Sequence, residues 1–383
     1  MHSRALNLAR ELTLRGHKVA MRMPPWHTPE KADSQWQEDG VLVRYVPLHG
    51  GVPGITRRLL QETLTWQPEI VHCFKPKAYS GLVGWWLWQF YRRRMPLVMD
   101  TDDWEGWGGW NDLDPYTPVQ KHFFAWQEQW GMRHCHLLTA ASRALQTVAL
   151  SMGIARKRVL YVPNGPGIQQ KTVNKKQLTE NGPRLMNTEQ QLNGRPTILL
   201  YSRLFEFDTG RLVAVLNQVK TAVPNFVILS VGAGLHENDA VTFRKQLTEA
   251  GLSDNVVDVG WVESEYLPAL LTLADVGIYL MDDTLLNRTK CPVKLADMAA
   301  LGIPVVGEAV GQVSEYVRNG RSGLLRSSGD IDGLAADLVH LLTDKIVRAQ
   351  FADAAKTHIA DHFRWSQRAA ELEQAYQQLL TQI

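Results

Sequence analysis

Short apolar runs alternate with helical patterns along almost the whole chain, and this alternation limits the fold more than any other feature of the sequence. In the first half, the predicted strands are KVAMRM (18–23), VLVRYVPL (41–48), EIVHCF (69–74), PLVMDT (96–101), HLLTA (136–140) and VLYVP (159–163). In the second half they are TILLYS (197–202), FVILSVGA (226–233), VVDVG (256–260), VGIYLM (276–281), PVVGE (304–308) and SGLLR (322–326). Segments of helical length separate most of these runs, so the sequence predicts an α/β fold built from βαβ units and parallel sheets.

A polar linker is predicted to divide the chain into two domains. The stretch PNGPGIQQKTVNKKQLTENGPRLMNTEQQLNGRP shows no sustained periodicity, and the alternation of strands and helices restarts after it. The predicted parts are an N-terminal Rossmann-like domain (1–165), the linker (166–195), a C-terminal Rossmann-like domain (196–360) and a closing helix packed on the N-terminal domain (361–383). Because ligands of doubly wound sheets lie beyond the carboxyl ends of the strands, two facing sheets predict a site in the cleft between them.

Charge and cysteine content exclude several classes of protein. Lys and Arg number 41 and Asp and Glu number 39, a formal net charge of +2, so there is no overall basic field for nucleic acid. Cys73, Cys135 and Cys291 lie far apart and lack the spacing of a metal site, which is typical of reduced thiols in a cytosolic protein. No apolar run reaches the roughly 18 residues of a spanning helix, and the charged N-terminal segment is unlike a signal peptide. We therefore expect a cytoplasmic protein.

The segment 274–310 contains the clearest candidate for an anion site. Its strand runs into a polar loop, and a helix is predicted from about Pro292, a residue that suits the first turn. The free N–H groups and the positive dipole end of such a helix attract an anion, and Lys294 adds a full charge. Asp297, about one turn further on, is placed to accept hydrogen bonds from a sugar hydroxyl. The alternative is an ordinary βα unit in which Lys294 and Asp297 are surface residues.

This segment also resembles a family signature. PVKLADMAALGIPVV is similar to the P-x-K-L-x-E-x-x-A-x-G-x-P-V-V pattern of the retaining GT-B glycosyltransferases of family four. The resemblance keeps its order and spacing over most of the chain, through NLARELTLRGHKV, TAASRALQTVALSMGIARKRVLYVPNG, NVVDVGWVESEYLPALLTLADVGIYL and FRWSQRAAELEQAYQQLL. It implies a GT-B architecture, in which two doubly wound, parallel-sheet domains face a cleft.

The resemblance further implies roles for residues of the C-terminal half. Arg203 stands where the family's arginine holds the donor diphosphate, and its planar fork suits that task because it meets phosphate oxygens bidentately. Asp297 stands at the second Glu of the family's E-x7-E motif, which binds the donor ribose. The implied donor-binding residues are Arg203, Lys294, Asp297, Val293, Thr289, Gly260, Trp261, Val262 and Gly234. From the residues alone, Arg203 is equally a solvated strand end, and Trp261 is equally a packing residue.

The sequence departs from the family pattern at four places. Thr289 occupies the position of the first Glu of E-x7-E, and Asp208 replaces a lysine usually found five residues after the arginine. Lys294 is expected to supply the positive charge that is lost with that lysine. Asp102 aligns with a histidine of the family's catalytic region. Finally, the chain opens inside the first helix, so the first strand and the Gly-rich loop of the N-terminal domain are missing from it.

The segment DTDDWEGWGGWNDLDP is predicted to form the acceptor side of the site. Asp100, Asp102 and Asp103 lie at a predicted strand end that faces the cleft, and a loop rich in Trp and Gly comes next. Carboxylates bind sugar hydroxyls, tryptophan rings stack on pyranose rings, and paired carboxylates raise one pKa so that one becomes a proton acceptor. The predicted catalytic residues are Asp102 and Asp103, and the predicted acceptor-binding residues are Trp104, Trp107 and His72.

Other interpretations of these acceptor-side residues stay open. The acidic segment is alternatively a solvated turn above packed tryptophans, and His72 is alternatively a packed polar residue. Oxygen ligands also suit Mg²⁺. The GT-B resemblance argues against a catalytic metal, so we expect neither a metal nor a cofactor, only a nucleotide-diphosphate sugar as co-substrate.

The segment 85–94, WWLWQFYRRR, is a candidate for peripheral membrane contact. Aromatic rings favour the headgroup level of a bilayer, and the three arginines favour anionic lipid at the inner face of the membrane. The alternative is a half-buried helix that covers the sheet.

Together these features predict a retaining glycosyltransferase that moves a sugar from a nucleotide-diphosphate sugar to a glycan, glycolipid or small-molecule acceptor. Two other functions remain open: a catalytically silent binding subunit of the same fold, and a nucleotide-sugar epimerase.

Overall fold

The computed structural model describes residues 2–168, 183–232, 234–235 and 237–382. The chain groups into two compact units. The first unit comprises Met1–Asn164, Thr289–Cys291 and Trp365–Ile383, and the second comprises Gly165–Arg288 and Pro292–Arg364. These units differ from the expected boundaries, since 289–291 groups with the first unit, and Gly165 and 361–364 group with the second.

In chain order the strands are β1 (Ala20–Met23), β2 (Gln35–Glu38), β3 (Val41–Tyr45), β4 (Val71–Phe74), β5 (Leu97–Thr101), β6 (Leu137–Ala140), β7 (Val159–Tyr161), β8 (Thr197–Tyr201), β9 (Val227–Val231), β10 (Val256–Gly260), β11 (Val276–Tyr279), β12 (Val305–Glu308) and β13 (Gly323–Arg326). The helices are α1 (His2–Leu14), α2 (Gly51–Trp66), α3 (Ala78–Tyr91), α4 (Trp110–Leu113), α5 (Pro118–Arg133), α6 (Arg143–Ser151), α7 (Pro183–Leu192), α8 (Thr209–Ala222), α9 (Glu237–Glu249), α10 (Leu267–Leu271), α11 (Leu285–Thr289), α12 (Val293–Leu301), α13 (Val313–Tyr316), α14 (Ile331–Thr343), α15 (Lys345–His362) and α16 (Trp365–Leu380). Every strand predicted from the sequence is present, which confirms the α/β fold class.

Two sheets form in the first unit. The smaller sheet has the order β1-β3-β2, with β1 parallel and β2 antiparallel to β3. The larger sheet is parallel throughout and has the order β4-β5-β6-β7. Strand β2, with the sequence QWQE, was not predicted because it is a short polar edge strand. The parallel sheet carries its functional side chains after the carboxyl ends of β4 and β5.

The second unit is built on a six-stranded parallel sheet with the order β10-β9-β8-β11-β12-β13. Its central strands are apolar on both faces, as expected for a sheet covered by helices on both sides. Ile198, Ile228 and Ile278 lie on neighbouring strands and are at most 1% exposed. They pack against helices α8 and α14 through Leu216 and Leu338. This core fixes the strand ends from which the candidate site projects.

The closing helix α16 packs against α1 in the first unit. Ala369 and Leu372 on α16 are buried against Leu8 and Leu12 on α1. The predicted linker, 166–195, lies partly outside the described residues. Its described part contains α7, a helix that the polar composition of the stretch did not indicate.

Candidate functional site

In the second unit, predicted donor residues gather around Tyr201 at the carboxyl end of β8. Lys294 lies in the first turn of α12, and its Nζ is 5.1 Å from the centre of the Tyr201 ring. Arg203 follows β8 and is exposed. Burial raises the pKa of the Tyr201 phenol, the nearby Asp297 carboxylate raises it further, and Arg203 lowers it. We call Tyr201, Arg203, Lys294 and Asp297 the Tyr201 group.

The start of α12 is suited to an anion. Val293 is its first residue, and Pro292 is the N-cap rather than a residue of the first turn. Proline has no side-chain acceptor, and no side-chain cap bonds the first N–H groups of this nine-residue helix. The positive end of the helix dipole at this uncapped start attracts a negative group.

Asp297 lies on α12 and is only 3% exposed. Its Oδ1 accepts hydrogen bonds from the backbone N–H groups of Gly167, at 2.7 Å, and Ile168, at 3.1 Å. Burial raises the pKa of Asp297 to about 6, although these N–H groups and Lys294 act in the opposite direction. Both bonds go to the same oxygen, Oδ1, and Oδ2 receives neither of them.

Backbone hydrogen bonds join the loops that follow β8, β9 and β10. The Gly232 N–H donates to the Gly260 carbonyl at 2.8 Å, and the Leu235 N–H donates to the Arg203 carbonyl at 2.8 Å. Gly232 has a φ of 115°, and a Cβ at this position would overlap the Ser202 carbonyl oxygen. Only glycine is accommodated there without strain.

The loop after β10 places the remaining predicted donor residues at the surface. Gly260 has a φ of 61°, and Trp261 beside it is 68% exposed. The alternative that Trp261 is a packing residue is therefore excluded. Val262 and Gly234 are half-buried. An exposed indole at the end of a parallel strand can stack on a planar base.

One charged network of the second unit was missed by sequence reasoning. Arg211 on α8 bridges Asp282, at 2.7 Å, and Glu308, at 3.0 Å. Glu308 is fully buried and also accepts the N–H groups of Met281 and Gly329, each at 2.7 Å. A carboxylate at the end of the apolar run PVVGE was the only signal in the sequence. The network fixes the strand-end loops beside the Tyr201 group.

Two departures from the family pattern have local explanations. Asp208 is the N-cap of α8, where its Oδ1 accepts the Gly210 N–H at 3.0 Å. Thr289 is fully buried and belongs to the first unit, where its carbonyl accepts the Ser142 hydroxyl at 2.7 Å. The structure thus corrects the assignment of Thr289 to the donor residues of the C-terminal domain: it does not group with the unit that carries Arg203 and Lys294.

In the first unit, three carboxylates surround Lys75, which follows β4. The Lys75 Nζ lies 2.6 Å from Glu105, 3.5 Å from Asp102 and 3.7 Å from Asp103. Lys77 binds the other Glu105 oxygen at 2.6 Å. We call Lys75, Asp102, Asp103 and Glu105 the Lys75 cluster. Sequence reasoning found the two aspartates but missed Lys75, since nothing in its local pattern connects it with a loop after another strand.

The two aspartates of the cluster ionise differently. Burial disfavours the charge of Asp102, but Lys75 and Arg4 outweigh it and lower its pKa. Burial raises the pKa of Asp103 to about 6; the charges of Asp102 and Glu105 act in the same direction, while Lys75 opposes them. Asp102 therefore stays ionised, and Asp103 can exchange a proton near neutral pH.

A buried ion pair between Arg4 and Asp100 lies beside the Lys75 cluster. Asp100, predicted to face a cleft, is fully buried at the end of β5 and receives two hydrogen bonds from Arg4, at 2.8 and 3.0 Å. Arg4 also donates to Asn164 at 2.8 Å. Burial opposes the charge of Arg4, yet Asp100 raises its pKa. Asp100 is therefore a structural residue and does not face a cleft as predicted, while the predicted catalytic residues Asp102 and Asp103 belong to the Lys75 cluster.

The structure corrects the expected role of Trp104. Trp104 is only 6% exposed and packs in the core, and its Nε1 donates to the Trp107 carbonyl at 2.7 Å. A Cβ at Gly106 or Gly109 would overlap Trp104, so these glycines allow close packing rather than motion. Trp104 offers no ring to an acceptor, whereas Trp107 is 44% exposed and stays a predicted acceptor residue.

His72 is also corrected. Its Nδ1 lies 2.7 Å from the Tyr376 hydroxyl and its Nε2 lies 3.1 Å from the Thr139 hydroxyl. Burial lowers the pKa of His72 to about 4, so the ring is neutral at physiological pH. Because both ring nitrogens have protein partners, His72 is a packed polar residue and does not bind an acceptor.

Within the described part of the chain, no group of three or more His, Cys, Asp or Glu side chains is arranged to hold a metal ion. No helix among the described residues is long and apolar enough to cross a membrane.

Comparisons with known proteins agree with this geometry. Residues 1–165 match the family described as "Glycosyl transferase 4-like domain", and residues 195–344 match "Glycosyl transferases group 1". The GDP-mannose-dependent alpha-(1-6)-phosphatidylinositol monomannoside mannosyltransferase of Mycobacterium tuberculosis is 27% identical over 191 residues, 48% of this chain and 47% of that protein. The chain thus spans about half the length of the mannosyltransferases it matches.

Two solved structures share the fold. Sucrose-phosphate synthase from Thermosynechococcus elongatus has a TM-score of 0.73 at 19% identity and covers 99% of this chain and 93% of its own. Anabaena HepE, in complex with UDP and glucose, has a TM-score of 0.69 at 16% identity and covers 98% of this chain and 95% of its own. With the matched families extending over both halves, the chain belongs to the group 1 glycosyltransferases of GT-B fold.

Proposed function

We propose that this protein is a retaining glycosyltransferase that moves a sugar from a nucleotide-diphosphate sugar to a glycan, glycolipid or small-molecule acceptor. The observation that carries the proposal is the Tyr201 group. Arg203 and Lys294 supply two positive charges, and α12 supplies the positive end of its helix dipole. Cations and a helix N-terminus beyond a parallel strand suit a diphosphate.

These groups would act on the diphosphate as it leaves. Negative charge grows on the leaving oxygens as their bond to the sugar breaks, so Arg203 and Lys294 stabilise the transition state more than the bound donor. Arg203 offers a planar fork of donors, and Lys294 a compact charge. The proposal includes a nucleotide sugar as co-substrate and no further cofactor.

The nucleoside would be held by neighbouring residues of the second unit. Oδ2 of Asp297 accepts a ribose hydroxyl, while its Oδ1 remains bonded to Gly167 and Ile168. The exposed ring of Trp261 stacks on the base. In this assignment Asp297 discriminates ribose from deoxyribose, because only ribose carries the second hydroxyl.

The acceptor would be bound by the Lys75 cluster. Asp102, held ionised by Lys75 and Arg4, accepts a hydrogen bond from an acceptor hydroxyl and orients it. The acceptor oxygen bonds to the anomeric carbon, the bond from that carbon to the diphosphate breaks, and the hydroxyl proton passes to Asp103. The exposed ring of Trp107 offers an apolar face to the acceptor sugar.

Two parts of the proposal are more specific: the transferred sugar retains its anomeric configuration, and the acceptor is linked to a lipid. Retention is supported by the PVKLADMAALGIPVV signature, which resembles that of a retaining family. A mycobacterial relative is named as a transferase that acts on a phosphatidylinositol monomannoside, which supports a glycolipid acceptor. Such an acceptor would be met at a membrane surface, where peripheral contact through 85–94 would place the protein.

The experiment that tests the donor site is a thermal-shift screen against UDP, GDP, ADP and their sugars, followed by calorimetric titration of the best ligand. A ligand that binds only the native state raises its apparent stability. Replacing Arg203 or Lys294 by alanine should weaken binding of the diphosphate by about 1.5–3 kcal/mol and leave binding of the bare nucleoside unchanged. The matched control is Arg318→Ala, an exposed arginine of the same unit. Equal losses for nucleoside and diphosphate would contradict the assignment.

A further inference from the structure

The loop that carries Lys75 has an unfavourable backbone conformation. Residues 75–78, which we call the lysine loop, lead from the end of β4 into the first residue of α3. Lys75 has a φ of 63° and Ala78 a φ of 53°, values that residues with a Cβ rarely adopt. A hydrogen bond from the Lys75 N–H to the Asp100 carbonyl, at 3.0 Å, holds one end of the loop. The other end has to be held as well, because strained residues persist only where their surroundings fix them.

Gln127 of α5 holds that other end. Its Oε1 accepts the Ala78 N–H at 2.8 Å, and its Nε2 donates to the Ala78 carbonyl at 3.1 Å. Both polar groups of one amide are thus bonded to a single strained residue. Gln127 is 3% exposed, so water does not compete for these bonds. A Cβ at Gly81 would overlap both the Gln127 amide and the Pro76 carbonyl, so a glycine there is what lets the amide reach the loop.

The lysine loop in turn places two cations beside the carboxylates of the Lys75 cluster. Lys75 and Lys77 bind different oxygens of Glu105, each at 2.6 Å. The Nζ of Lys75 also lies 3.5 Å from Asp102 and 3.7 Å from Asp103. Because Coulomb energy falls with distance, these attractions depend on where the backbone puts the ammonium groups. A loop that relaxed from its left-handed conformation would carry Lys75 away from the two aspartates.

From these contacts we infer that Gln127 is a positioning residue for sugar transfer: it holds the lysine loop in the conformation from which Lys75 faces Asp103. The inference rests on the proposed function, in which Asp103 accepts the proton of the acceptor hydroxyl. Gln127 touches no substrate in this assignment and acts through the backbone of Ala78.

The expected consequence is a change in the ionisation of Asp103. The charged groups that face it are Lys75, Asp102, Glu105 and Lys290. Burial and the two acidic neighbours raise its pKa to about 6, while Lys75 and Lys290 lower it. Of these four groups only Lys75 lies in the lysine loop. Release of the loop weakens the attraction of Lys75 for the ionised carboxylate, so the pKa of Asp103 should rise by about one unit, less than complete removal of the charge would cause.

The test replaces Gln127 by methionine, which fills a similar volume but forms neither hydrogen bond. The ionisation of Asp103 is followed by carboxyl NMR of the full chain with isotope-labelled aspartate, and Asp103→Asn assigns its signal. In Gln127→Met the pKa of Asp103 should rise by about one unit, and the acid limb of kcat/KM for sugar transfer should move upward with it. Adding Ala78→Gly should restore both, because glycine adopts a positive φ without strain. The NMR titration needs no activity, so a wild type that shows the expected titration but no transfer would refute the proposed function and not the placement of Lys75 by Gln127.

The matched control is Gln146→Met. Gln146 is also 3% exposed, lies in the same unit and accepts a hydrogen bond from Arg143 of its own helix at 2.8 Å. Its replacement should leave the titration of Asp103 and the acid limb in place. If Gln127→Met does not fold, Ala78→Val tests the loop directly: a β-branched residue disfavours a positive φ, so the pKa of Asp103 should rise in the same way. The inference is overturned if the folded variants of Gln127 and Ala78 leave the titration of Asp103 unchanged, if Ala78→Gly fails to restore it, or if Gln146→Met shifts it equally.

Discussion

Replacing Lys75 with methionine removes the positive charge at the centre of the Lys75 cluster and keeps a side chain of similar length. The Nζ of Lys75 lies 3.7 Å from Asp103, and burial already raises the pKa of Asp103 to about 6. Without Lys75, the ionised form of Asp103 loses its nearest cation. We therefore expect the pKa of Asp103 to rise further, and the proton-accepting form to become scarce at neutral pH.

The size of the effect follows from the separation. Two unit charges about 4 Å apart interact by about 4 kcal/mol at an effective dielectric constant of 20, the equivalent of about three pKa units. In this variant Lys290, which also lowers the pKa of Asp103, would remain. Glu105 would lose its ion pair with Lys75 and would still raise the pKa of Asp103. We expect a rise of about two units, within the range of an opposite charge at this distance. At pH 7 the ionised fraction of Asp103 would then fall about tenfold.

The assay is the pH dependence of kcat/KM for sugar transfer, with the donor identified by the binding screen. The acid limb of the wild type should reflect a group with a pKa of about 6. In Lys75→Met the limb should move about two pH units upward, and activity should recover near pH 9. Lys75→Arg keeps the charge and should restore the wild-type profile.

A matched control separates this effect from a loss of structure. Lys77→Met removes a lysine that binds Glu105 at 2.6 Å but is not paired with Asp103, so its acid limb should stay in place. The charges that face Asp103 in the native cluster are Lys75, Asp102, Glu105 and Lys290. If Lys75→Met lowers activity equally at every pH, the reasoning is wrong and Lys75 acts only in folding.

Three further predictions concern stability, measured by chemical denaturation followed through tryptophan fluorescence. Arg4→Met should destabilise the first unit by about 3–5 kcal/mol, because it leaves Asp100 charged and unpaired in the core; the double variant with Asp100→Leu should recover much of the loss, and no recovery would refute the explanation. Trp104→Ala should lower the free energy of unfolding by about 3–5 kcal/mol, because the buried indole is lost from the core. A variant that is as stable as the wild type and has only a lower acceptor affinity would show instead that Trp104 binds the acceptor. Asp208→Ala should cost about 1 kcal/mol and leave donor affinity unchanged, since Asp208 caps α8; weaker donor binding at unchanged stability would contradict the capping role.

The strands and the anion-binding helix could be predicted because their signals are local. Apolar runs bounded by polar residues mark parallel strands, and the spacing from Pro292 to Gly302 marks a short helix. Strand β2 and helix α7 were not predicted, because QWQE is short and has a single apolar residue, Trp36, and α7 lies in a polar stretch. Both depend on tertiary packing more than on their own pattern.

The candidate site was less predictable, because its chemistry comes from residues that are distant in sequence. Lys75 and Arg4 belong to a loop and a helix that carry no motif, yet they decide which of the aspartates stay ionised. Trp104 illustrates the opposite error. It was predicted to bind the acceptor, whereas its flanking glycines allow the backbone to pack tightly around a buried indole.

The central claim, retaining transfer from a nucleotide sugar, is tested most directly by following the reaction with proton NMR. The purified protein is incubated with the α-configured donor chosen by the binding screen and with a glycan or glycolipid acceptor. We predict that the nucleoside diphosphate and a new α-glycoside appear together at equal rates, and that Arg203→Ala slows both by about tenfold or more, the kinetic equivalent of one charge-assisted hydrogen bond. A β-configured product would contradict retention. A donor that is bound but never consumed, or one that changes its sugar while keeping its nucleotide, would contradict transfer itself.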